Sequence, residues 1–289
     1  MIGREFGAVE RRSMRGRHMR CVIVALFVLG LVPRAFAADL DILRGSEPVG
    51  PAAFTNWTGI YVGGDAGVSD SNADFSHATQ PSIAFVLRDT ALENTSHPSD
   101  LPVLGSADHT ALSYGGFAGY NSQWQDLILG VEANFLHLSA ALTAPSSPIS
   151  RSGLSDGQGN SYTVTITGTG SMANLNYVAL RGRAGLILGN FLPYGFVGAV
   201  VGMSDVSVTS AIQGVCEPGS KATCSNFAFS ASDGRNSALL YGATVGAGMD
   251  YAFTQHFFLR GEYEYTRFAQ FDSLVLAVSS VRLGAGFKF

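Results

Sequence analysis

One short motif carries the residue types of a nucleophilic enzyme site. His137 and Ser139 flank Leu138, and a histidine within reach of a serine hydroxyl can activate that serine as a nucleophile. Because side chains alternate along a strand, both residues fall on the same face as Phe135. Such a site also needs a group that orients the histidine, and the nearest carboxylate in sequence, Glu132, falls on the opposite face. We therefore expect no catalytic residues and no enzymatic activity.

Three histidines share one polar stretch. His77, His97 and His109 are 20 and 12 residues apart, and these spacings match no recognised set of metal ligands. The sequence also lacks a phosphate-binding loop, a paired-cysteine zinc pattern and a nucleophile elbow. We expect solvated loop histidines and neither a metal nor a cofactor.

Two cysteines indicate a covalent link rather than catalysis. Cys216 and Cys224 are eight residues apart in a polar stretch. In an exported protein such a pair predicts a disulfide that closes a short loop. The alternative, a metal site, would need more ligands than two thiols without a nearby histidine.

The N-terminal segment predicts export, and therefore an oxidising compartment for these cysteines. Five arginines within Arg11–Arg20 precede the apolar run Cys21–Val32, and the small-x-small pattern of Ala35–Ala37 follows. The apolar run is too short to span a bilayer, which needs about 20 residues. We expect residues 1–37 to be a cleaved signal peptide and residues 38–55 to be a periplasmic lead-in.

The predicted mature chain is acidic. Residues 1–37 hold seven of the 18 Lys and Arg and two of the 22 Asp and Glu, which leaves 11 basic and 20 acidic residues and a net charge of −9. Binding to nucleic acid depends on clustered Lys and Arg that neutralise phosphates. We therefore expect no nucleic-acid partner.

Eight segments of the remaining chain alternate apolar and polar residues as strands do. In the last segment Val281, Leu283 and Phe287 fall on one face, and Arg282 and Lys288 fall on the other. The pattern does not assign the facing of the fifth segment. The predicted strands are residues 57–69, 112–122, 127–138, 177–189, 193–205, 238–253, 256–268 and 280–289. The long polar connections are residues 70–111, 139–176 and 206–237, and residues 162–167 could extend a strand.

Charged residues on the polar faces indicate which face of the sheet lies inside the fold. A soluble β-sandwich or lipocalin-like barrel would turn its apolar faces inward and leave these charges in solvent. A narrow closed barrel in a membrane would instead enclose them, and equal numbers of opposite charges can pair there. The five acidic and five basic residues are Asp65, Glu132, Asp250, Glu262, Glu264, Arg181, Arg183, Arg260, Arg282 and Lys288.

We predict an all-β fold for residues 56–289: an eight-stranded antiparallel transmembrane β-barrel with long extracellular loops and short periplasmic turns. Each strand is long enough for a tilted crossing, which needs about 9–11 residues. The enclosed charges either form a salt-bridge network that fills the barrel or line a narrow passive pore. Their equal numbers favour filling.

Four stretches carry a family resemblance, namely Asn56–Gly64, Gly115–Asn121, Leu129–Ala133 and Val281–Phe289. In these stretches the chain resembles the small outer-membrane barrels of alphaproteobacteria called porin-family or opacity-like surface antigens, which have an OmpA-type eight-stranded barrel. The resemblance implies a Gram-negative outer membrane as location, with lipid and lipopolysaccharide around the barrel. It implies insertion by the barrel-assembly machinery, for which Phe287 and Phe289 would form the assembly signal.

The expected function is that of a structural surface barrel. It would contribute to envelope integrity and interact with a host or surface ligand through its long loops. The alternative is a narrow passive porin for ions or small solutes. A second alternative is a lipid A-modifying outer-membrane hydrolase that uses His137 and Ser139, which the inward direction of Glu132 disfavours.

Overall fold

The computed structural model describes residues 56–221, 223–269 and 274–289. These described residues form nine antiparallel strands, with two short helices and a 3₁₀ turn between the first two strands. The strands are β1 (Gly59–Asp74), β2 (Ser106–Trp124), β3 (Leu127–Ala144), β4 (Ile149–Ser155), β5 (Ser161–Leu186), β6 (Phe191–Cys216), β7 (Phe227–Ala252), β8 (Phe257–Phe268) and β9 (Val275–Lys288). The helices are α1 (Gln80–Val86) and α2 (Ala91–Ser96), and the 3₁₀ turn is Pro98–Asp100. None of the described helices is long and apolar enough to cross a membrane.

Eight of the nine described strands close into one ring, which confirms the predicted barrel. The order runs from β1 through β2 and β3 to β5, continues through β6, β7 and β8, and returns through β9 to β1. Strand β4 pairs with the outer end of β5, beside the ring. Closure matters because backbone groups in lipid have no water to bind and must pair with each other.

The two faces of each strand differ as predicted. Leu180 points outward and is 66% exposed, whereas its neighbour Arg181 points into the barrel and is 2% exposed. The fifth strand of the ring, β6, follows the same rule. Its residues Tyr194 and Phe196 point inward, and Val201 points outward.

Several strands extend further than predicted on the extracellular side. Strands β5, β6 and β7 each contain 26 residues, far more than the about 9–11 that a tilted crossing needs. Most of the predicted loops 139–176 and 206–237 is therefore paired strand, and residues 162–167 lie in β5 as predicted. The barrel wall continues as a sheet beyond the membrane-facing band.

A small apolar cluster caps this extracellular sheet. Helix α1 lies against β6 and β7, and its residue Ile83 is buried in a cluster with residues of β5 and β6. Thr90 caps α2, since its Oγ1 accepts a hydrogen bond from the main-chain N–H of Glu93 at 3.2 Å. The buried members of the cluster are Ile83, Leu87, Leu92, Val103, Val164, Ile166 and Ile212. The connection from β1 to β2 is thus packed onto the sheet.

The turn between β4 and β5 is held by one carboxylate. Asp156 Oδ1 accepts hydrogen bonds from the main-chain N–H groups of Gln158 at 2.8 Å and Asn160 at 3.1 Å. Desolvation raises the pKa of Asp156, but these hydrogen bonds outweigh it and hold the pKa below its ordinary value. Their contribution is present while Asp156 is ionised and is lost as the pH falls through that lowered pKa.

The predicted disulfide is confirmed. Cys216, at the end of β6, bonds to Cys224 with an S–S distance of 2.02 Å and a Cα–Cα distance of 6.1 Å. The main-chain N–H of Cys216 also donates to Asn226 Oδ1 at 2.9 Å. The bond closes the connection between β6 and β7 at the extracellular tip.

Gly67 marks a place where two strands of the barrel approach too closely for a side chain. A Cβ added there would lie 2.0 Å from the main-chain oxygen of Val281 on β9. We expect Gly67→Ala to destabilise the barrel by about 1–3 kcal/mol because the backbone must move. A urea titration measures this loss. The folded fraction at each urea concentration is read from the heat-modifiable migration of the barrel on gels.

Gly182→Ala is the matched control, because a Cβ there would lie 3.9 Å from the nearest atom, the main-chain oxygen of Val197. We expect this variant to unfold with the wild-type midpoint. Equal unfolding midpoints for both variants would contradict the tight seam between β1 and β9.

Candidate functional site

The register of the strands places opposite charges directly across from each other inside the barrel. Glu132 on β3 is opposite Arg181 on β5, and Asp250 on β7 is opposite Arg260 on β8. On the next pair, Glu262 of β8 is opposite Arg282 of β9. Directly opposed residues lie close enough for opposite charges to attract. Three of the ion pairs therefore follow from the pairing of the backbone.

Glu132 has three arginine partners. It bonds closely to Arg181, lies 2.7 Å from Arg260 Nη1 and lies 3.3 Å from Arg183 Nη1. Tyr61 donates its hydroxyl proton to Glu132 Oε2 at 2.8 Å. Both carboxylate oxygens are thereby satisfied in a position that is 2% exposed.

Two glutamates on β8 complete the network on its other side. Arg282 Nη2 lies 2.6 Å from Glu262 Oε1 and 2.5 Å from Glu264 Oε2. Arg181 Nη1 reaches the same two oxygens, at 2.7 Å each. The side chains of Glu262 and Glu264 thus bridge β5 to β9 across the interior.

A fourth carboxylate, Asp250, binds two of the arginines that also contact Glu132. Asp250 lies 2.8 Å from Arg183 Nη2 and 2.9 Å from Arg260 Nε. Four arginines and four carboxylates are in this way joined into one buried network. Their numbers balance, which is the condition under which buried charges are retained.

Two residues of the predicted charge set lie at its margin or apart from it. Asp65 Oδ2 is 3.9 Å from Arg282 Nη1 and accepts a hydrogen bond from Asn134 Nδ2 at 3.4 Å. Lys288 Nζ instead donates to the main-chain oxygen of Asn56, near the periplasmic end. The predicted balance of five against five is therefore four against four, with Asp65 beside it.

Aromatic side chains on the periplasmic side support the arginines. The guanidinium carbons lie 3.9 Å from the ring centroid of Phe117 for Arg260 and 3.8 Å from that of Tyr194 for Arg183. Tyr194 also donates its hydroxyl proton to Glu262 Oε2 at 2.8 Å. This layer was not predicted from the sequence, although the aromatic residues alternate in phase with the charges. The buried cluster below the network is Trp57, Tyr61, Phe117, Ile128, Ile187, Leu192, Tyr194, Phe196, Ala252 and Phe258.

A hydroxyl layer and an apolar cluster fill the barrel on the extracellular side. Ser69 Oγ lies 2.7 Å from both Ser113 Oγ and Ser280 Oγ. Beyond these hydroxyls, Phe268 and Tyr177 stack edge to face, with ring centroids 5.8 Å apart. They belong to a cluster of 20 buried residues, which lines the outer half of the barrel. Charged, polar and apolar layers thus succeed each other along the interior.

The His137 motif lies outside the barrel, on the face that carries Phe135. His137 Nε2 is 3.0 Å from Ser139 Oγ, and Nδ1 is 2.6 Å from Asn176 Oδ1. Asn176 was not predicted as a partner of His137, because it is 39 residues away along the chain. The prediction that Glu132 points to the opposite face is correct, since Glu132 binds arginines inside.

The histidines of the first long connection and the C-terminal phenylalanines were the other candidate residues. His97 has φ 45° and lies between α2 and the 3₁₀ turn, while His109 lies on β2. Within the described ranges no group of three or more His, Cys, Asp or Glu could hold a metal ion. At the periplasmic end, the Phe287 ring lies 5.0 Å from Phe257 and 5.0 Å from Phe289.

One comparison with known protein families agrees with this architecture. A family profile described as "Outer membrane protein beta-barrel domain" matches residues 45–289. No curated protein matches the chain.

Similar solved structures include the Neisserial surface protein A (NspA), at 17% identity over 80% of this chain and 98% of that chain, with a TM-score of 0.33. Ail, the attachment invasion locus protein of Yersinia pestis, is 16% identical over 80% of this chain and 99% of that chain, with a TM-score of 0.30. The N-terminal β-barrel domain of Pseudomonas aeruginosa OprF is 13% identical over 78% and 97%, with a TM-score of 0.27.

Removing one arginine tests whether the buried network stabilises the barrel. Arg181→Met leaves Glu132, Glu262 and Glu264 with one cation fewer in a buried position. We expect a loss of about 3–5 kcal/mol in the free energy of unfolding, measured by urea titration of the barrel in lipid vesicles.

Arg267→Met is the control, because Arg267 is on β8 but exposed on the outer face. Its effect should stay within about 0.5 kcal/mol, as for most surface substitutions. If Arg181→Met were as stable as this control, the network would not hold the barrel together.

Proposed function

Since the chain belongs to the outer membrane protein beta-barrel family, and thus resides in a Gram-negative outer membrane, we propose that it is a closed structural barrel. In this role it contributes to envelope integrity and presents its extracellular sheet for contact with a host or surface ligand. The membrane-spanning interior serves stability, and the surface beyond the membrane serves interaction.

One observation carries the structural half of this proposal: side chains fill the barrel. The network of four arginines and four carboxylates lies between the periplasmic aromatic cluster and the extracellular apolar cluster. An eight-stranded barrel is only wide enough to be filled by its own side chains. Ions would therefore have to displace well-paired charges and two apolar layers to pass through.

The extracellular sheet supports the interaction half. Strands β5, β6 and β7 continue beyond the membrane-facing band as hydrogen-bonded strands, and the Cys216–Cys224 disulfide closes their tip. The cluster around Ile83 packs α1 onto the same sheet. A binding surface built on such a scaffold loses little conformational freedom when a partner binds.

The aromatic residues at the periplasmic end support assembly by a dedicated machinery. Phe287 lies on β9, and Phe289 follows the last residue of that strand. The main-chain N–H of Phe289 donates to the main-chain oxygen of Ile60 on β1 at 3.0 Å. The strand that would carry the assembly signal thus also forms the closing seam. Residues 1–37 as a cleaved signal peptide and 38–55 as a periplasmic lead-in remain part of the proposal and lie outside the described residues.

Planar-bilayer recording tests the closed interior. We expect the refolded full chain to give no reproducible single-channel steps. A variant in which residues 76–103 are replaced by a short Gly-Ser linker should also stay closed, because the charge network and the periplasmic cluster are retained.

A general porin refolded in the same detergent serves as the positive control, and heat-modifiable migration verifies folding of each sample. Reproducible steps from the full chain would overturn the closed barrel in favour of the narrow porin. Steps from the linker variant alone would mean that the extracellular connection, and not the interior network, closes the barrel.

A further inference from the structure

The register of three strands gathers a histidine, a serine and an asparagine on the outer face of the barrel. His137 on β3 is directly opposite Tyr114 of β2 on one side and Asn176 of β5 on the other. Directly opposed residues point to the same face. Ser139 follows His137 by two positions and therefore shares that face as well.

The hydrogen bonds of His137 fit the neutral tautomer with its proton on Nδ1. In that tautomer the Nδ1–H group donates to Asn176 Oδ1 at 2.6 Å. Nε2 is then the acceptor and lies 3.0 Å from Ser139 Oγ, whose hydroxyl can donate to it. The Tyr114 ring packs on the imidazole with a centroid distance of 4.9 Å. This is the arrangement in which a histidine can withdraw a proton from a serine.

The three residues lie at the boundary between the apolar and the polar parts of the outer face. Val178 and Met203 on neighbouring strands are exposed and apolar, whereas Asn174 and Asp205 one step further out are polar. Such a boundary is where the hydrocarbon region of a bilayer meets its polar headgroups. The ester groups of acylated lipids lie at the same depth.

A groove opens beside the triad at this boundary. The ladders shift register at Leu138/Ala141 between β3 and β5 and at Ala173/Asn176 between β5 and β6, and such bulges redirect side chains. The groove has a volume of about 360 Å³, and its wall includes Phe135, Val178, Val201, Met203, Asn176 and Asp205. Apolar side chains dominate this wall, which suits an acyl chain.

We propose that Ser139, His137 and Asn176 form an esterase site for long-chain carboxylic esters of lipids in the outer leaflet. Ser139 and His137 are the catalytic residues, and Asn176 is a positioning residue that acts through His137. The acyl chain lies in the groove along Val178 and Val201, whose wall includes Asn176, and the ester end leaves the groove past Asn176 toward Ser139. The site uses only the outer face, so it operates on a barrel whose interior is closed.

The reaction proceeds in two balanced steps. Ser139 Oγ attacks the ester carbonyl carbon, and the hydroxyl proton of Ser139 moves to His137 Nε2. The bond between the carbonyl carbon and the alcohol oxygen then breaks, and His137 passes that proton to the alcohol oxygen. The acyl group remains on Ser139 Oγ. A water molecule then attacks the acyl carbon, His137 passes a water proton to Ser139 Oγ, and the fatty acid leaves.

Fatty-acid release from defined vesicles tests the proposal with the full chain. One arm uses vesicles of phosphatidylethanolamine and phosphatidylglycerol, and a second arm adds lipopolysaccharide, which distinguishes phospholipid from lipopolysaccharide esters as the source. We expect release in at least one arm, and we expect Ser139→Ala and His137→Ala each to lower its rate roughly 10²-fold or more.

Variants of Asn176 test the positioning role. Asn176→Leu should lower kcat on the order of 10²-fold by misorienting the imidazole, whereas Asn176→Asp should restore activity because a carboxylate also accepts from Nδ1. Ser171→Ala is the control, since Ser171 is exposed on the same outer face of β5. Heat-modifiable migration shows whether each variant folds.

Three outcomes would overturn the site. The first is the absence of fatty-acid release in both arms from a wild-type chain that is folded. The second is release that Ser139→Ala leaves unchanged. A loss of release in Ser171→Ala equal to that in Ser139→Ala would also contradict the assignment, because Ser171 lies outside the hydrogen-bonded triad.

Discussion

The contact between Glu132 and its three arginines is the interaction on which the rest of the barrel depends. Charges inside a low-dielectric barrel are costly unless each one is paired and hydrogen-bonded. Glu132 meets that condition with Arg181, Arg183 and Arg260, and the same arginines bind Asp250 and Glu262 in turn. The network therefore constrains the strand register, because a shift of one strand by one residue would turn every charged side chain of that strand to the lipid.

The surroundings of the network follow from the same constraint. Tyr61 and Tyr194 complete the hydrogen bonds of Glu132 and Glu262, and their rings keep water away from the charges. Where such rings fill the interior, a neighbouring inward position must be small. Gly119, for example, would place a Cβ 2.4 Å from the Tyr61 hydroxyl oxygen. Gly119 is thus a position where the space of an enclosed ring requires glycine.

The sequence predicted the barrel and the facing of every strand except the fifth, because a period of two is unambiguous where bulky apolar and charged residues alternate. It predicted the reach of β5 to β7 poorly, because Ser, Thr and Gly in residues 167–171 give weak contrast between faces. The prediction that Lys288 belongs to the charge network was wrong, because alternation indicates which face of the strand a side chain is on but not its position along the barrel axis. Asn176 was missed because its contact with His137 depends on strand register rather than on spacing along one segment.

The pairing of β1 with β9 affects the rate at which the barrel folds. Val62 pairs with Phe287, and Gly67 pairs with Arg282, so more than 200 residues separate the two sides of the closing ladder. Such non-local pairings make folding slow, because the entropy of closing a long loop must be overcome before they form. During that interval the edges of β1 and β9 are open and prone to aggregate. The edges of β1 and β9 are therefore the parts of the chain most exposed to wrong pairing until the last strand closes the ring.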